Sequence, residues 1–469
     1  MKILLVEDED RSVRQAMAGI DAAAPGAFVT VVGSRDEAVK VLHTEGFDLI
    51  VCDLRIPPYA ASADISDRHG LAVHTEARES CPGTPIVFLS AFATPRNTST
   101  PLSFGGTQNV FGLSGYPMVQ LIEKDDLDRF EALVRALFSA LTSLDTSCQV
   151  LSGDVEDDMF LRAVRIYAKQ ISMSQAEIHA MPGGLSNAPL GRVSFSSTQS
   201  GRANVFMKVV SFADAESETL RFQEFVPNRL QGANFAPSLP PITAGLRGQA
   251  ALISNLADGC DSLFGILRTS DLKAAEAVKA LKIATTPWEH AVDPAPTRLG
   301  DLRKRRINND KLETLNESIE EFRAIESCEI AMKSRICHGD LHGENVLVTP
   351  DGRPILIDFG DLGPNAAPLD PVTLELSIIF HKAGPARSSA WAESVDWASW
   401  ADLETFAAGS PFESFIRECR GWALQQDSPD SVYGMAYAHS IRQFKYSDVN
   451  RAIARAIALS ASRSIGRGA

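Results

Sequence analysis

The chain has 469 residues, 45% hydrophobic and 22% charged, which predicts a globular protein of two or three domains. A formal net charge of −14 argues against a nucleic-acid partner, because no broad basic surface is available for a phosphate backbone. Seven scattered cysteines, an odd number without metal-ligand spacing, argue against a disulfide framework. The acidic start of the chain is unlike a signal peptide, and no apolar run is long enough to span a bilayer. We therefore expect a cytoplasmic protein with no membrane partner.

The first part of the chain alternates short apolar runs with helix-like segments. The apolar runs are ILLV (3–6), FDLIVC (47–52), PIVFLS (85–90) and MVQLI (118–122). The helix-like segments cover residues 10–22, 34–45 and 125–142. This rhythm predicts an α/β domain with a doubly wound parallel sheet.

Polar residues follow these strands where each one ends. They are Glu7, Asp8, Asp53, Ser90 and Lys124. The carboxyl ends of parallel strands meet at one edge of the sheet, so we expect these side chains to lie together. Three neighbouring carboxylates repel one another unless a hard cation such as Mg²⁺ lies among them. The hydroxyl and the ammonium group would then suit a phosphoryl group carried on Asp53.

In order and spacing, these five residues resemble the receiver domain of two-component response regulators, over about residues 1–145. The resemblance implies a flavodoxin-like fold and a sensor histidine kinase as the partner that phosphorylates Asp53. It also implies Mg²⁺ bound by Glu7, Asp8 and Asp53, with the main-chain carbonyl of Arg55. Ser90 and Lys124 would contact the phosphoryl oxygens.

The sequence departs from the receiver pattern in three places. Residues 57–70 form a longer segment after the phosphoacceptor than is usual. Residues 97–115 lengthen a connection that normally holds one short helix. Leu121 stands where many receivers carry an aromatic switch residue. We therefore expect an altered output surface.

The apolar periodicity lapses over residues 142–158, where serine, threonine, aspartate and glycine dominate. We place the first domain boundary there. The predicted organisation is a receiver domain (1–145), a linker and helix (146–172), a small kinase-like lobe (173–257) and a mostly helical large lobe (258–469).

The segment ICHGDLHGENVLVTPDGRPILIDFGD (336–361) carries the strongest chemical signal in the second half. It predicts two short strands joined by a turn at 350–352, which gather Asp340, Asn345 and Asp358 around one point. Phosphoryl transfer needs Mg²⁺ held by oxygen ligands and an acceptor hydroxyl placed in line. Asn345 and Asp358 suit the metal. Asp340 suits the hydroxyl, whose proton it would accept.

The pattern H-G-D-x-x-x-x-N followed by I-D-F-G resembles the catalytic core of the aminoglycoside phosphotransferase and choline kinase group, relatives of the protein kinases. The resemblance implies an α+β bilobal kinase-like fold and ATP-dependent transfer to a hydroxyl group. His338 in the HGD sequence favours this small-molecule branch. Asp370 matches the first acid of the D-P-x-x-D-L-A stretch of that group, whereas Glu375 is out of register with the second.

A kinase-like domain requires a smaller lobe before this segment. Lys208 interrupts the apolar run ANVFMKVVSF (203–212), which resembles the V-A-I-K strand of kinases. Lys208 would contact the α- and β-phosphates; its other interpretation is a solvated strand edge. Glu218 is the predicted carboxylate partner on the helix that follows, with Glu224 as the alternative.

The remaining nucleotide-binding predictions rest mainly on position in the chain. In the phosphate-covering loop we expect Gly183, Gly184 and Ser186. At the hinge beside adenine we expect Ser254, Asn255 and Leu256. Trp391, Trp397, Trp400 and Trp422 are interpreted as core residues, and His342 as a residue behind the site or a plain loop residue.

The leading hypothesis is a response regulator with a phosphotransferase output: phosphorylation of Asp53 controls Mg-ATP-dependent transfer to a hydroxyl acceptor. The alternative is an ATP-binding, pseudokinase-like scaffold in a bacterial signalling or conflict system, which the irregular glycine loop favours. A transcription factor would need a helix-turn-helix after the receiver, and the kinase motifs occupy that part of the chain. The acceptor stays open among aminoglycosides, choline-like alcohols, sugars and protein hydroxyl groups.

Overall fold

The computed structural model describes residues 1–91, 105–152, 155–181, 189–197, 201–289 and 293–466. The chain divides into two compact units, Met1–Glu216 with Ser238–Asn255 and Ser217–Pro237 with Leu256–Ala469. The predicted glycine loop, with Gly183, Gly184 and Ser186, lies outside the described residues. Within those ranges, no helix is long and apolar enough to cross a membrane.

The first unit contains most of the β-structure. Its strands are β1 Lys2–Val6, β2 Phe28–Val32, β3 Leu49–Cys52, β4 Ile86–Ser90, β5 Thr107–Val110, β6 Leu113–Pro117, β7 Val119–Glu123, β8 Gln149–Ser152, β9 Gln175–Ala180, β10 Leu190–Ser197, β11 Gly201–Ser211, β12 Ser238–Ile242 and β13 Gln249–Asn255. Its described helices are α1 Asp10–Ala23, α2 Arg35–Leu42, α3 Asp67–Ser80, α4 Leu127–Ser147 and α5 Asp158–Gln170, and the next helix, α6 Phe212–Phe225, continues into the second unit.

The first sheet has five parallel strands in the order β2-β1-β3-β4-β7. The four predicted strands are all present, and the α/β doubly wound fold is confirmed. The fifth strand, β2, is an edge strand whose Phe28 is 77% exposed. Its side chains are exposed or only partly buried, unlike those of the inner strands. For this reason the pattern of apolar runs did not predict this strand.

The structure shows what the two longer segments, 57–70 and the described part of 97–115, contain. In the segment 57–70, α3 begins at Asp67, and the Ser66 hydroxyl caps it by accepting a hydrogen bond from the backbone N–H of Arg68. The irregular part is therefore shorter than predicted. In the segment 97–115, the described residues form a hairpin of β5 and β6. Leu121 lies on β7 and is partly buried.

The second sheet has six strands in the order β12-β13-β11-β10-β9-β8, antiparallel except for the pair β8 and β9. Helix α5 packs on this sheet and buries Phe160, Val164 and Ile166. These side chains join one hydrophobic core with residues of the parallel sheet, among them Leu5 and Val87. The two larger sheets of the first unit thus share one core, and other residues of the parallel sheet pack in a separate core.

Two glycines of the parallel-sheet domain permit a close approach to the connection between β12 and β13. A Cβ atom on Gly83 would lie 1.6 Å from the carbonyl oxygen of Thr243. A Cβ atom on Gly46 would lie 2.2 Å from the carbonyl oxygen of Arg247. Larger side chains would force the two sheets apart. Only Cys148 separates α4 from β8, so little irregular chain joins them; the predicted domain boundaries stay a prediction.

The second unit is mainly helical. Its described helices, after α6, are α7 Leu263–Thr269, α8 Asp271–Thr285, α9 Leu299–Arg306, α10 Asn309–Thr314, α11 Arg323–Glu326, α12 Leu369–Phe380, α13 Ala390–Ser394, α14 Leu403–Ala407, α15 Glu413–Gln426, α16 Pro429–Arg442 and α17 Arg451–Ser464. Its strands are β14 Asp261–Ser262, β15 Ala295–Arg298, β16 Glu329–Met332, β17 Ser334–Cys337, β18 Val346–Val348, β19 Pro354–Leu356 and β20 Gly363–Ala366. Trp400 and Trp422 are fully buried in its core, as predicted.

Candidate functional site

The first candidate site lies at the carboxyl edge of the parallel sheet. Glu7 follows β1, Asp53 follows β3, Ser90 ends β4 and Lys124 follows β7. Neighbouring strands are paired in parallel, so their ends bring residues distant in sequence to the same edge. Asp8 follows Glu7 and is half-buried.

Hydrogen bonds join these side chains into one cluster. The Ser90 hydroxyl donates to Oδ1 of Asp53 at 2.6 Å. The ammonium group of Lys124 lies 2.7 Å from Oδ2 of Asp53 and 2.7 Å from Oε2 of Glu7. The backbone N–H of Arg55 also donates to Oδ1 of Asp53, at 3.2 Å. The structure therefore brings together the hydroxyl, the ammonium and the carboxylates that the sequence singled out.

The electrostatics of this cluster suit a cation. Burial, and then the nearby charge of Asp53, raise the pKa of Glu7 to about 7 against the opposing hydrogen bond from Lys124. Burial also raises the pKa of Asp8. A hard cation such as Mg²⁺ would stabilise the ionised carboxylates. Within the described parts of the chain, no group of three or more His, Cys, Asp or Glu is arranged to hold a metal ion, so this site, which also uses a carbonyl oxygen, stays a prediction.

The second candidate site is built on the loop between β17 and β18. Oδ2 of Asp370 accepts the backbone N–H of His338 at 2.8 Å, and Oδ1 accepts that of Gly339 at 3.0 Å. Asp370 is 1% exposed, so these are buried charge-assisted hydrogen bonds. Gly339 has φ +86°, and a Cβ atom there would lie 2.2 Å from the carbonyl oxygen of Asp361. Asp370 thus fixes the loop that carries Asp340.

Asn345 and His338 tie this loop to the strand that ends at Asp358. Nδ2 of Asn345 donates to the carbonyl oxygen of Asp340 at 3.0 Å, and the Asn345 carbonyl accepts the N–H of Ile357 at 3.1 Å. Nε2 of His338 lies 3.0 Å from the carbonyl oxygen of Ile357, and since a carbonyl only accepts, Nε2 carries the proton. The predicted hairpin of β18 and β19 is present. Asp340, Asn345 and Asp358 are therefore held on one framework.

Asp358 adopts φ +60°, in the left-handed region, which aspartate tolerates better than most residues. Phe359 packs edge to face against Phe222 of α6, with 5.3 Å between ring centroids. Arg221 donates to the carbonyl oxygen of Gly360. Helix α6 therefore contacts the I-D-F-G segment through residues one turn after Glu218.

The contact between α6 and the I-D-F-G segment helps to decide whether Glu218 or Glu224 is the predicted partner of Lys208. Glu218 precedes Phe222 by four residues, so both lie on the face that meets the I-D-F-G segment. Glu218 is partly buried, whereas Glu224 is exposed. The face of α6 favours Glu218 over Glu224. Lys208 belongs to the first unit and Glu218 to the second, and their pairing stays a prediction.

Lys208 lies on β11, between β10 and β13, opposite Leu190 and Leu252. It is 6% exposed, so the alternative of a solvated strand edge is wrong. A buried lysine requires compensating groups, as a phosphate-binding lysine does. Strand β13 ends at Asn255, and the chain enters the second unit at Leu256, where the hinge of Ser254, Asn255 and Leu256 was predicted.

Two histidines near Asp340 are neutral at physiological pH. His342 stacks on His381 with 4.2 Å between ring centroids. Burial lowers the pKa of each to about 3. Nε2 of His342 lies 3.8 Å from Oδ2 of Asp340. His342 is therefore a buried loop residue next to Asp340, and its role behind the site stays a prediction.

Glu375 forms a buried ion pair in the core of the second unit. Its carboxylate accepts hydrogen bonds from Arg420 at 2.6 and 2.9 Å and from the indole of Trp400 at 2.7 Å. It is 2% exposed. Its place out of register with the phosphotransferase pattern thus reflects a core ion pair.

Sequence reasoning missed the cations of the second site. Nη2 of Arg442, at the end of α16, lies 3.7 Å from Oδ1 of Asp340. Arg306, at the end of α9, and Lys445 interact electrostatically with Asp340 and Asp361. These residues come from helices distant in sequence and form no motif, so no local pattern could have indicated them.

Part of the second half of the chain matches a known protein family. Residues 271–398 match the phosphotransferase enzyme family (APH). The matched region contains Asp340, Asn345, Asp358 and Asp370. No curated protein is similar to the chain in sequence.

Solved structures resemble each half. The receiver domain of Francisella response regulator 1452 is 22% identical, covers 29% of this chain and 96% of its own, and has a TM-score of 0.22. Choline kinase LicA from Streptococcus pneumoniae is 14% identical, covers 64% of this chain and 98% of its own, and has a TM-score of 0.34. Aminoglycoside phosphotransferase APH(4)-Ia is 14% identical, covers 65% and 98%, and has a TM-score of 0.38.

The chain thus combines a receiver-like α/β domain with an APH phosphotransferase-like domain. The predicted combination is confirmed by the family match and by the strand order of the parallel sheet.

Proposed function

We propose that this protein is a two-component response regulator whose output is an ATP-dependent phosphotransferase acting on a hydroxyl group. The carrying observation is the framework of the second site, in which Asp370, His338 and Asn345 hold Asp340 beside the strand that ends at Asp358. A phosphotransferase needs such fixed geometry because positioning and electrostatics supply most of its catalysis.

In this proposal each residue has a defined task. Asp340 orients the acceptor hydroxyl and takes its proton. Asn345 and Asp358 offer the amide and carboxylate oxygens that Mg²⁺ prefers. Lys208, held by Glu218, contacts the α- and β-phosphates. The metal, when bound, neutralises charge on the transferring phosphoryl group.

The receiver site handles phosphate in a different reaction. A carboxylate oxygen of Asp53 forms a bond to phosphorus, while the bond from phosphorus to the histidine nitrogen of a sensor kinase breaks. The Ser90 hydroxyl and the Lys124 ammonium already contact Asp53 and are placed to meet the phosphoryl oxygens. Hydrogen bonds that Lys124 donates to Asp53 and Glu7 outweigh the effect of burial and raise the pKa of Lys124, which keeps it charged.

The receiver site is testable with a small phosphoryl donor. Acetyl phosphate with Mg²⁺ is expected to phosphorylate the full-length protein, and Asp53→Asn is expected to abolish the label because asparagine cannot form the acyl phosphate. Asp36→Asn, an exposed acid of α2, is the matched control and should label normally. Intact-mass measurement gives the readout. Full labelling of Asp53→Asn would reject Asp53 as the acceptor.

A buried ion cluster connects the receiver to the sheet that carries Lys208. Asp48, 1% exposed, precedes β3 and accepts hydrogen bonds from Arg162 at 2.6 Å and from Arg247 at 2.9 and 3.0 Å. Burial opposes the ionised form, but Arg247 and Arg162 outweigh it and lower the pKa of Asp48. Arg247 lies two residues before β13, which pairs with β11. In this proposal, a change in the receiver acts through this cluster on the strand that bears Lys208.

Disrupting this cluster should separate the two activities. Asp48→Asn is expected to retain labelling of Asp53 but to weaken the effect of that labelling on Mg-ATP binding by about 5-fold or more. Glu45→Gln, which alters a more exposed pair with Lys2, is the control and should keep the full effect. Isothermal titration with and without beryllofluoride measures the effect. An unchanged response in a folded Asp48→Asn protein would exclude this route.

The transfer itself is tested by incubating the full-length protein with γ-labelled ATP and a panel of hydroxyl compounds and proteins. The proposal expects label on at least one acceptor and none with Asp340→Asn. Tight ATP binding without transfer to any acceptor would instead favour the scaffold.

A further inference from the structure

Three basic side chains of the second unit interact with Asp340. Arg442 is 3% exposed, and its Nη2 lies 3.7 Å from Oδ1 of Asp340. Arg306, Lys445 and Arg442 all interact electrostatically with Asp340 and with one another. We call Arg306, Arg442 and Lys445 the basic cluster. It lies beside the residue that must contact the acceptor hydroxyl.

Arg306 is unsatisfied within the described protein. Its Nε and Nη2 atoms are buried and have no hydrogen-bond partner. Arg303, one turn earlier on α9, shows the contrast: it donates to both carboxylate oxygens of Glu326, to Asn309 and to the carbonyl oxygen of Ile307. Buried polar groups normally find partners, so two buried guanidinium nitrogens without a partner near the acceptor site indicate a ligand.

The charges near Asp340 also indicate a ligand for the basic cluster. Burial and then the neighbouring Arg442 lower the pKa of Arg306 to about 10 and that of Lys445 to about 8, so both are mostly charged at neutral pH. The carboxylates that oppose them are Asp340 and Asp361. The nearby His342, His381 and His439 are neutral, because burial lowers their pKa values. The basic cluster therefore brings three cations to the two carboxylates with which it interacts, Asp340 and Asp361.

We infer that the acceptor is a hydroxyl compound that also carries an oxyanion, a phosphate or a carboxylate, which the basic cluster binds. This inference rests on the proposed transfer function and names the substrate class of the same site. Guanidinium groups match planar or tetrahedral oxyanions with paired hydrogen bonds. An acceptor that is a polyamine or a quaternary amine would meet three cations and be repelled.

The inference leaves the reaction balanced. The acceptor oxygen forms a bond to the γ-phosphorus of ATP, and the bond from that phosphorus to the β,γ-bridging oxygen breaks. The hydroxyl proton passes to Asp340, and ADP leaves. The basic cluster contacts the anionic group of the acceptor, so Arg306 positions the acceptor and takes no proton.

The test uses the full-length protein saturated with Mg²⁺ and a non-hydrolysable ATP analogue, so that ATP phosphates do not compete. Glycerol 3-phosphate and D-glycerate are the anionic probes, and glycerol and choline are the uncharged and cationic controls. Arg306→Gln is compared with Arg305→Gln, a neighbouring exposed arginine of the same helix. Arg306→Lys tests whether charge alone suffices. Titration calorimetry measures each dissociation constant.

The expected result is saturable binding of at least one anionic probe to the wild type and to Arg305→Gln, with about 10- to 100-fold weaker binding to Arg306→Gln. The preferred probe tells phosphate from carboxylate. Equal affinity for Arg306→Gln and the wild type, or no anionic probe bound, overturns the inference.

Turnover of labelled ATP, measured in parallel, separates the two proposals. Transfer to choline or an aminoglycoside, with no anion bound, would keep the phosphotransferase and reject the anionic acceptor. Anion binding that depends on Arg306, with no transfer to any hydroxyl, would keep the basic cluster as a ligand site and reject the phosphotransferase.

Discussion

Asp340→Asn is expected to lower the rate of phosphoryl transfer by about 10²- to 10⁴-fold, the usual contribution of a general base. Asparagine has nearly the same shape as aspartate but cannot accept the hydroxyl proton. The carbonyl oxygen of Asp340, which accepts the hydrogen bond from Asn345, belongs to the backbone and is retained. The measurement is the steady-state rate of γ-phosphoryl transfer, with the affinity for Mg-ATP determined separately.

The control for this variant is Asp361→Asn. Asp361 is an exposed acid of the same segment that also faces the basic cluster. Its replacement is expected to change the rate far less, because it does not lie in the HGD loop. Equal losses for Asp340→Asn and Asp361→Asn would show that general electrostatics, and not a base at Asp340, governs the rate.

Glu375→Gln is expected to destabilise the second unit by about 3–5 kcal/mol, because it leaves the charge of Arg420 buried without its partner. Both side chains are nearly inaccessible, and the guanidinium of Arg420 also lies 3.7 Å from the centre of the Trp400 ring. The expected result is a clear fall in the midpoint of chemical unfolding, followed through tryptophan fluorescence.

Two further variants define the cause of that fall. Glu404→Gln removes an exposed pair with Arg417 and is expected to leave the midpoint almost unchanged. The double variant Glu375→Met with Arg420→Met removes both charges and should recover part of the loss, since no unpaired charge stays buried. A midpoint for Glu375→Gln equal to the wild type would contradict the structural role of this pair.

The residues of the two candidate sites could be predicted from the sequence where they lie within a local sequence pattern. Asp53, Ser90 and Lys124 each lie at the end of an apolar strand, and the parallel register then brings them together. Asp340, Asn345 and Asp358 fall in one short hairpin segment. In both sites, the distance in space is set by secondary structure that the sequence pattern indicates directly.

Ion pairs between residues distant in sequence, in contrast, could not be predicted, because they leave no local sequence pattern. Asp48 meets Arg162 and Arg247 across more than 100 residues of chain, so the shared core of the first unit was not foreseen. Arg306 and Arg442 come from separate helices of the second unit, and each alone is an ordinary helix-terminal arginine. Charge partners of this kind follow from the fold and not from periodicity.

The central claim is that the phosphorylation state of Asp53 sets the rate of phosphoryl transfer at Asp340. Its most direct test is the initial rate of transfer from γ-labelled ATP, with and without beryllofluoride, for the full-length wild type and for Asp53→Asn. The account predicts that beryllofluoride changes the wild-type rate by about 5- to 150-fold and leaves the rate of Asp53→Asn unchanged. The same rate in all four measurements would contradict it.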